Sequence, residues 1–438
     1  MATIATAPAA ASPEKHPKGL FVLFATEMWE RFSFYSMLAM FTLYLRDTTG
    51  QGFGWTGDQA TGLYANYLMF VYASPLIGGW IADRGLGYRR SVMIGGVFFM
   101  AGHLLLSIQS IPVVYAALAC LVVGNGFFKP NVSAMVGNLY PEGSHLKDRA
   151  YNIFYMGINV GAFMAPIAAE FVKSRWGFHP AFAMAAAGML ISVTILWRFK
   201  RHVMHADTRT QAAAAKPQPI DAVPNPVRIG ALIVIYLIVI VFWMVFHQNG
   251  STLTYWANEN TSWNVTGIIS NAINPGWVLL LTFPLVAFWR WLDQRGMEPS
   301  TPVKMAIGMC CTAVAFLVMF VAAKTGEGTL VAGAGAYDYK VSPLWLLGAY
   351  GVLTLGELML SPMGLSLVSK VAPAKHRGIM MGGWFVATAI GNKLTQIGQL
   401  WDDMPHSSFW LLLSGAAAVM AAVLMLLLKP LKKAMPGI

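Results

Sequence analysis

Hydrophobic residues dominate this chain in long runs, and short polar segments separate each run from the next. Six runs lie near residues 20–45, 59–82, 90–110, 112–138, 149–172 and 178–199, and six more near 228–256, 266–292, 302–323, 342–370, 375–399 and 407–429. A helix of about 20 residues crosses the roughly 30 Å hydrocarbon core of a bilayer, so every run is long enough to span it. The pattern predicts an all-α polytopic membrane protein with 12 transmembrane helices in two six-helix bundles.

The segment between the two sets of runs divides the chain. Residues 200–227 are polar and rich in Ala and Pro, which is typical of a flexible linker between domains. The predicted organisation is a disordered cytoplasmic tail at 1–18, one bundle at 19–199, a cytoplasmic linker at 200–227, a second bundle at 228–430 and a cytoplasmic tail at 431–438. The first 18 residues lack the apolar core and cleavage site of a signal peptide.

Charge sets the expected orientation and excludes one class of partner. The chain is 56% hydrophobic and 11% charged, with a formal net charge of +11. Its Lys and Arg residues concentrate in the loops that share one side of the membrane, so the positive-inside rule places both termini in the cytoplasm. We expect a monomer surrounded by lipid in the cell inner membrane, with no nucleic-acid partner. The three cysteines fall within apolar runs and have no metal-ligand spacing.

The first apolar run carries charge at membrane depth in the sequence TEMWERFSFY. Glu27, Glu30, Arg31, Phe34 and Tyr35 recur at helical spacing and share one face of a helix. Ionisable residues inside a membrane are costly and usually functional. One interpretation is a structural ion pair between Glu27 and Arg31. The other is a titratable site.

Later runs add further polar and aromatic candidates. They are Tyr72 in the second run, Lys129 in the fourth, Asn159 in the fifth, Asn274 in the eighth, Glu357 in the tenth and Trp384 in the eleventh. A buried lysine needs a carboxylate or binds a charged substrate, whereas an asparagine among small residues can equally join two helices. We expect His103 to be a satisfied core residue and Lys393 to extend outward to the interface.

Nine short motifs carry a resemblance to a known family. They are ExxERFxxY, GGWIAD, GNGFFKPN, FYMGINVGAF, FWMVF, QNGS, NPGW, GELMLSP and MGGWFVATAIGN, in chain order. This series resembles the proton-dependent oligopeptide transporters, a branch of the major facilitator superfamily. The resemblance implies a major facilitator fold and proton-coupled symport of di- and tripeptides into the cell by alternating access. It implies no enzymatic activity, no metal and no cofactor, with protons as the coupling ion.

The resemblance also implies roles for particular residues. The substrate-binding residues would be Arg31, Tyr35, Tyr72, Lys129, Asn159, Asn274, Glu357 and Trp384. The proton-coupling residues would be Glu27, Glu30, Arg31 and Glu357. The cations would face the peptide carboxylate and Glu357 the amino end. Without substrate, we expect the helix-one carboxylates to pair with Arg31, and Glu357 to pair with Lys129.

Three further residues have open interpretations. Asp83 and Arg84, in the loop at 79–90, resemble a major facilitator gating loop that latches the cytoplasmic side, although glycines and positive charge also describe an ordinary cytoplasmic loop. His247 stands where the family has an acid, and Leu38 replaces the arginine that would partner it. His247 is therefore either a neutral gate residue packed against Leu38 or a proton carrier.

Other functions remain open from the residues alone. Another small anionic or zwitterionic solute, such as nitrate or an amino-acid conjugate, is an alternative cargo, and a non-transporting peptide receptor is an alternative class. Nucleotide-driven pumping and hydrolysis are disfavoured because the sequence contains no P-loop, HExxH or GxSxG motif.

Overall fold

The computed structural model describes residues 15–140, 146–207, 223–262, 266–327, 339–373 and 377–435. Within these ranges the chain is built from helices. The helices of the first half are α1 (Lys18–Arg46), α2 (Gly57–Ile81), α3 (Tyr88–Leu106), α4 (Ile111–Asn138), α5 (Leu146–Trp176) and α6 (Phe178–Arg198). Those of the second half are α7 (Asn225–Phe246), α8 (Thr252–Asn260), α9 (Gly267–Ser270), α10 (Ile273–Asp293), α11 (Thr301–Glu327), α12 (Leu344–Val371), α13 (Arg377–Leu394) and α14 (His406–Ala434).

Two of these helices extend their neighbours. The short α8 continues α7 after a 3₁₀ turn at His247–Gly250, and the single turn α9 leads into α10. The described helices therefore provide 12 membrane crossings, as the hydrophobic runs predict. Eight of the helical segments are apolar enough to span a membrane on composition alone. The first helix does not meet that criterion, because it carries the charged cluster.

Each half of the chain forms a bundle with its own hydrophobic core. In the first bundle α1 packs against α5 and α6, while α4 packs against α2 and α3. In the second, α11 packs against α12 and α14, and α7 packs against α13. The two bundles meet where α2 lies along α13 and where α5 lies along α10. Glu27, Arg31 and Tyr35 of α1 line the space between the bundles.

The start of the predicted linker is ordered against the first bundle. Residues 200–207 contain two 3₁₀ turns, and the side chains of Val203, between the turns, and Ala206, in the second, are fully buried. The Arg89 backbone N–H donates to Asp207 Oδ1 at 3.0 Å. The sequence placed these residues in a flexible linker, but two small apolar side chains spaced three apart are enough to dock them. At the other end of the predicted linker, α7 begins at Asn225, whereas the sequence predicted that the second bundle begins at 228.

Close helix crossing in the first bundle depends on glycine. A Cβ built on Gly78 of α2 would lie 1.9 Å from the carbonyl oxygen of Gly126 on α4, and neither backbone can move aside cheaply. Small residues allow membrane helices to approach in this way. We expect Gly78→Ala to destabilise the protein by about 1–3 kcal/mol through overpacking. Thermal unfolding in detergent measures the effect.

Gly348→Ala on α12 is the matched control, because nothing lies within 4 Å of a Cβ built there. Alanine favours a helix over glycine by up to about 1 kcal/mol, so this control should unfold at the wild-type temperature or slightly above it. Equal unfolding temperatures for the two variants would contradict the close crossing of α2 and α4.

Candidate functional site

A cavity of about 370 Å³ lies between the two bundles. This volume falls within the range of pockets that bind small ligands. Its wall includes all eight residues predicted to contact substrate, namely Arg31, Tyr35, Tyr72, Lys129, Asn159, Asn274, Glu357 and Trp384. The structure therefore brings these residues together from seven different helices. Of the two helix-one carboxylates, Glu27 lies in the cavity wall, whereas Glu30 is fully buried behind it.

The helix-one charges form one compact group. Arg31 donates from Nε to Glu30 Oε2 at 2.5 Å and from Nη2 to Glu30 Oε1 at 2.6 Å. Its Nε also lies 3.4 Å from Glu27 Oε1. The expected pairing of Arg31 with both carboxylates is present, and the pair with the adjacent Glu30 is the tighter one. Glu27 is the looser partner, because its Oε2 has no hydrogen-bond donor among the described residues.

Aromatic rings and an amide complete the surroundings of the guanidinium. Its central carbon lies 4.8 Å from the Phe34 ring centre and 5.9 Å from that of Tyr35. Its Nη2 is also 3.5 Å from Asn125 Oδ1 on α4. A guanidinium over aromatic faces is favourable, more so when water is excluded. Arg31 is thereby held in one position beside the cavity.

Lys129 lies in the same wall as Arg31. Its Nζ lies 4.7 Å from the Tyr72 ring centre. Among the described residues, no carboxylate oxygen lies within 4 Å of this nitrogen. The expected pair between Lys129 and Glu357 is therefore wrong for this conformation. The physical reason is that Glu357 is engaged on its own side of the cavity.

The opposite wall holds Glu357 within a small polar network. Asn274 Nδ2 on α10 donates to Glu357 Oε2 at 2.9 Å, and also contacts Thr354 Oγ1 at 2.9 Å. Trp384 of α13 lies beside α12 at Gly364, where any Cβ would overlap its indole ring. Hydrogen bonding and packing thus fix an acid and an aromatic surface across the cavity from the cations.

The Asn159 side chain bonds to its own helix and also faces the cavity. Its Nδ2 donates to the carbonyl oxygen of Tyr155 one turn earlier on α5, at 2.9 Å, and both residues lie in the cavity wall. The amide is thus partly satisfied by its own helix while it remains exposed to a ligand. Tyr155 is absent from the predicted set, although its spacing of four from Asn159 places it on the same helical face. Asn271, three residues before Asn274, was missed in the same way.

Polar contacts close one end of the cavity, where α1 ends and α2 begins. Arg46 Nη1 lies 3.2 Å from Glu259 Oε1 of the second bundle, and the guanidinium also lies 4.2 Å from the Tyr255 ring centre. The Tyr255 hydroxyl is 3.1 Å from Thr61 Oγ1. An ion pair, a cation–π contact and a hydrogen bond therefore join the bundles within one patch. The sequence pattern predicts no role for Arg46 or Glu259.

Two further contacts join the bundles at this end. Thr42 Oγ1 donates to the Gly250 carbonyl oxygen at 2.9 Å. Lys393 Nζ donates to Asn66 Oδ1 at 2.5 Å. The expectation that Lys393 extends outward to the interface is wrong, because its ammonium group is held by a half-buried acceptor, Asn66 on α2. The hydrogen bonds between the bundles that the described residues make all lie at this end of the cavity.

The predicted gating residues contact near neighbours in the chain. Asp83 Oδ1 accepts a hydrogen bond from the Tyr88 hydroxyl at 2.9 Å. The Arg84 guanidinium lies 4.2 Å from the Trp80 ring centre. These contacts lie within the turn between α2 and α3. The structure places both side chains at the opposite end of the bundle from Arg46, and the contacts that they make stay within the first bundle.

The two buried histidines differ in location. His247 lies in the cavity wall, where its ring stacks on Trp243 at 5.0 Å and 21°. His103 lies in the core of the first bundle, stacked on Phe99. Neither His103 ring nitrogen has a hydrogen-bond partner among the described residues, so the expectation of a satisfied core histidine is wrong in that respect.

Comparison with known proteins identifies the family. Residues 89–222 and 222–411 match the sequence profile of the POT family. The chain belongs to the POT family. It is 29% identical to the di-/tripeptide transporter of Lactococcus lactis subsp. lactis, over 96% of each chain. It is 31% identical to the peptide transporter YePEPT of Yersinia enterocolitica, over 96% of this chain and 95% of that one.

Solved structures of POT proteins match the fold. The crystal structure of a peptide transporter POT in complex with sulfate superposes with a TM-score of 0.85, at 27% identity and over 97% of each chain. A mutant peptide transporter POT in complex with alafosfalin gives a TM-score of 0.84, at 29% identity and over 97% of each chain. The predicted major facilitator fold is confirmed. The POT relatives compared here are transporters rather than enzymes.

Proposed function

We propose that this chain imports di- and tripeptides together with protons by alternating access of the two bundles. The observation that carries the proposal is the charge distribution of the cavity, with Arg31 and Lys129 on the first bundle and Glu357 on the second. A short peptide at neutral pH has one anionic and one cationic end. Substrate sites at the interface between two repeats are typical of secondary transporters. The peptide transporters among the POT relatives support the same cargo.

The proposed binding mode follows from the two walls. The peptide carboxylate lies near Arg31 and Lys129, and the ammonium group donates to Glu357 beside Asn274. The amides and hydroxyls of Asn159, Tyr35 and Tyr72 meet the peptide backbone, which is the same in every peptide. Trp384 lines the space for side chains. A site of this kind discriminates weakly among side chains and accepts many sequences.

The proposed proton pathway begins at Glu27. Glu27 lies in the cavity wall and is the looser partner of Arg31. Protonation of Glu27 would remove one of the two charges that neutralise Arg31, leaving the guanidinium more available to a peptide carboxylate. Glu30 lies behind it and holds Arg31 in place. On the other wall, Glu357 would exchange its proton as the peptide ammonium arrives or leaves.

The proposed location is the cell inner membrane, with both termini in the cytoplasm and the protein acting as a lipid-embedded monomer. In this orientation the Arg46 end of the cavity is the outer end, and its polar contacts hold the outer side closed. Asp83 and Arg84 then lie at the cytoplasmic side. We propose that they latch that side in the opposite conformation.

Counterflow in liposomes tests the substrate class. Vesicles loaded with unlabelled dialanine should take up labelled dialanine, and external di- and tripeptides should compete with it. Nitrate and single amino acids should not compete at tenfold higher concentration. Strong competition by nitrate or an amino-acid conjugate would replace the peptide assignment with another solute. Specific binding of dialanine without any exchange would favour the receptor alternative.

A further inference from the structure

The imidazoles of His103 and His247 are buried and have no hydrogen-bond partner among the described residues. The side chains of His103 and His247 are 0% and 5% exposed, and neither ring nitrogen of either residue has a hydrogen-bond partner among the described residues. Buried polar groups are nearly always hydrogen-bonded, so each case needs an explanation. His103 is enclosed by the core of the first bundle. His247 lies in the cavity wall, so the contents of the cavity can supply its partner.

Aromatic rings fix the position of the His247 imidazole. Its ring centre lies 5.0 Å from that of Trp243 in a stacked arrangement, and 5.6 Å from those of both Tyr72 and Phe246. Its backbone is held as well, because the Tyr64 hydroxyl donates to the His247 carbonyl oxygen at 3.4 Å. The imidazole is thus held in place by apolar contacts that leave its nitrogens unused.

The neighbouring charge indicates what the imidazole binds. Lys129 and His247 approach the same Tyr72 ring, with Lys129 Nζ 4.7 Å from the ring centre. A lysine offers only donors, and an imidazole always offers at least one N–H. Among the described residues, no carboxylate lies within 4 Å of the nitrogens of either side chain. Two donor groups that have no acceptor among the described residues can both donate to an oxygen atom of the substrate.

We propose that His247 is a specificity-determining residue that, beside Lys129, donates a hydrogen bond to an oxygen in the side chain of the peptide's carboxyl-terminal residue. The inference rests on the proposed function, in which the Lys129 end of the cavity holds the peptide carboxylate. Peptides that end in glutamate or glutamine carry such an oxygen, and peptides that end in leucine do not. His247 therefore favours the first two over the third.

Competition against labelled dialanine in counterflow tests the inference. Alanyl-glutamate, alanyl-glutamine and alanyl-leucine are compared in wild type, in His247→Phe, which keeps an aromatic ring but no nitrogen, and in His103→Phe. The preference for the glutamate and glutamine peptides over the leucine peptide should fall about three- to tenfold in His247→Phe, the effect of one hydrogen bond. It should stay at the wild-type value in His103→Phe.

Ratios between peptides separate specificity from structure. A purely structural role for His247 would alter the affinity for all three peptides alike and leave the ratios unchanged, and that result would overturn the inference. His247→Gln keeps a donor and should keep most of the preference. If His247→Phe does not fold, His247→Met removes the nitrogens at similar volume. Absence of any dialanine exchange in wild type would instead refute the proposed function.

Discussion

Peptide binding should weaken by about 30- to 150-fold when Glu357 is replaced by glutamine. The proposed ammonium partner of the peptide is the Glu357 carboxylate, which Asn274 holds at 2.9 Å on the second bundle. A hydrogen bond between charged groups contributes roughly 2–3 kcal/mol, and the neutral amide retains the shape of the side chain but not its charge. Competition against labelled dialanine in counterflow gives the affinity of each variant.

A modified peptide tests whether the lost affinity comes from the ammonium group of the ligand. Acetylation of the dialanine amino group removes the same ammonium from the ligand side, so wild type should bind N-acetyl-dialanine weakly. In Glu357→Gln the acetyl group should cost little further affinity, because the pair is already broken. Glu170→Gln provides the matched protein control, since Glu170 is a mostly buried acid of α5 outside the cavity. An equal loss on acetylation in wild type and in Glu357→Gln would contradict the proposed contact.

Gradient-driven uptake should be lost when Glu27 is replaced by glutamine, whereas exchange of peptide across the membrane should continue. Glutamine resembles a protonated glutamate in shape and charge, so the variant is fixed in one protonation state. Arg31 keeps its tight pair with Glu30 and remains in position. Accumulation of labelled dialanine under an inward proton gradient should fall to the level without a gradient. Counterflow, which needs no net proton movement, reports the remaining exchange.

Glu30 provides the comparison for this result. It is fully buried behind the cavity wall and makes the two shortest contacts with Arg31. Glu30→Gln should therefore also lower thermal stability, by roughly 1.5–3 kcal/mol, because it weakens a charged hydrogen-bond pair. Glu27→Gln should have the smaller effect on stability. Wild-type accumulation in the Glu27→Gln, Glu30→Gln double variant would remove helix one from the coupling mechanism.

The fold was predictable because membrane spans follow directly from hydrophobic length. The predicted spans also drew attention to Arg31, Lys129 and Glu357, because ionisable residues are costly at membrane depth unless they serve a function or are paired. Tyr155, four residues before Asn159, and Asn271, three residues before Asn274, were also within reach of a stricter use of helical spacing. Helical spacing therefore explains which residues share a face of one helix, whereas the grouping of residues from different helices into one site came from the family resemblance.

Contacts between the bundles were not predictable from local patterns. Asn66 and Lys393 are 327 positions apart, and nothing in either segment indicates the other. The ion pair of Arg46 with Glu259 could not be predicted either, because each residue lies at the end of an apolar run, where charge is common. The expected pair of Lys129 with Glu357 was wrong because charge complementarity across a cavity does not fix the distance between its walls.

Accumulation of labelled dialanine by purified protein in liposomes tests the central claim most directly. The vesicles are set to a neutral interior, and the exterior is either neutral or mildly acidic. We predict uptake above the external concentration with the inward proton gradient, and equilibration only when the gradient is absent or is collapsed by a protonophore. Equal uptake with and without the gradient would contradict proton-coupled symport, and absence of uptake in both conditions would contradict peptide transport.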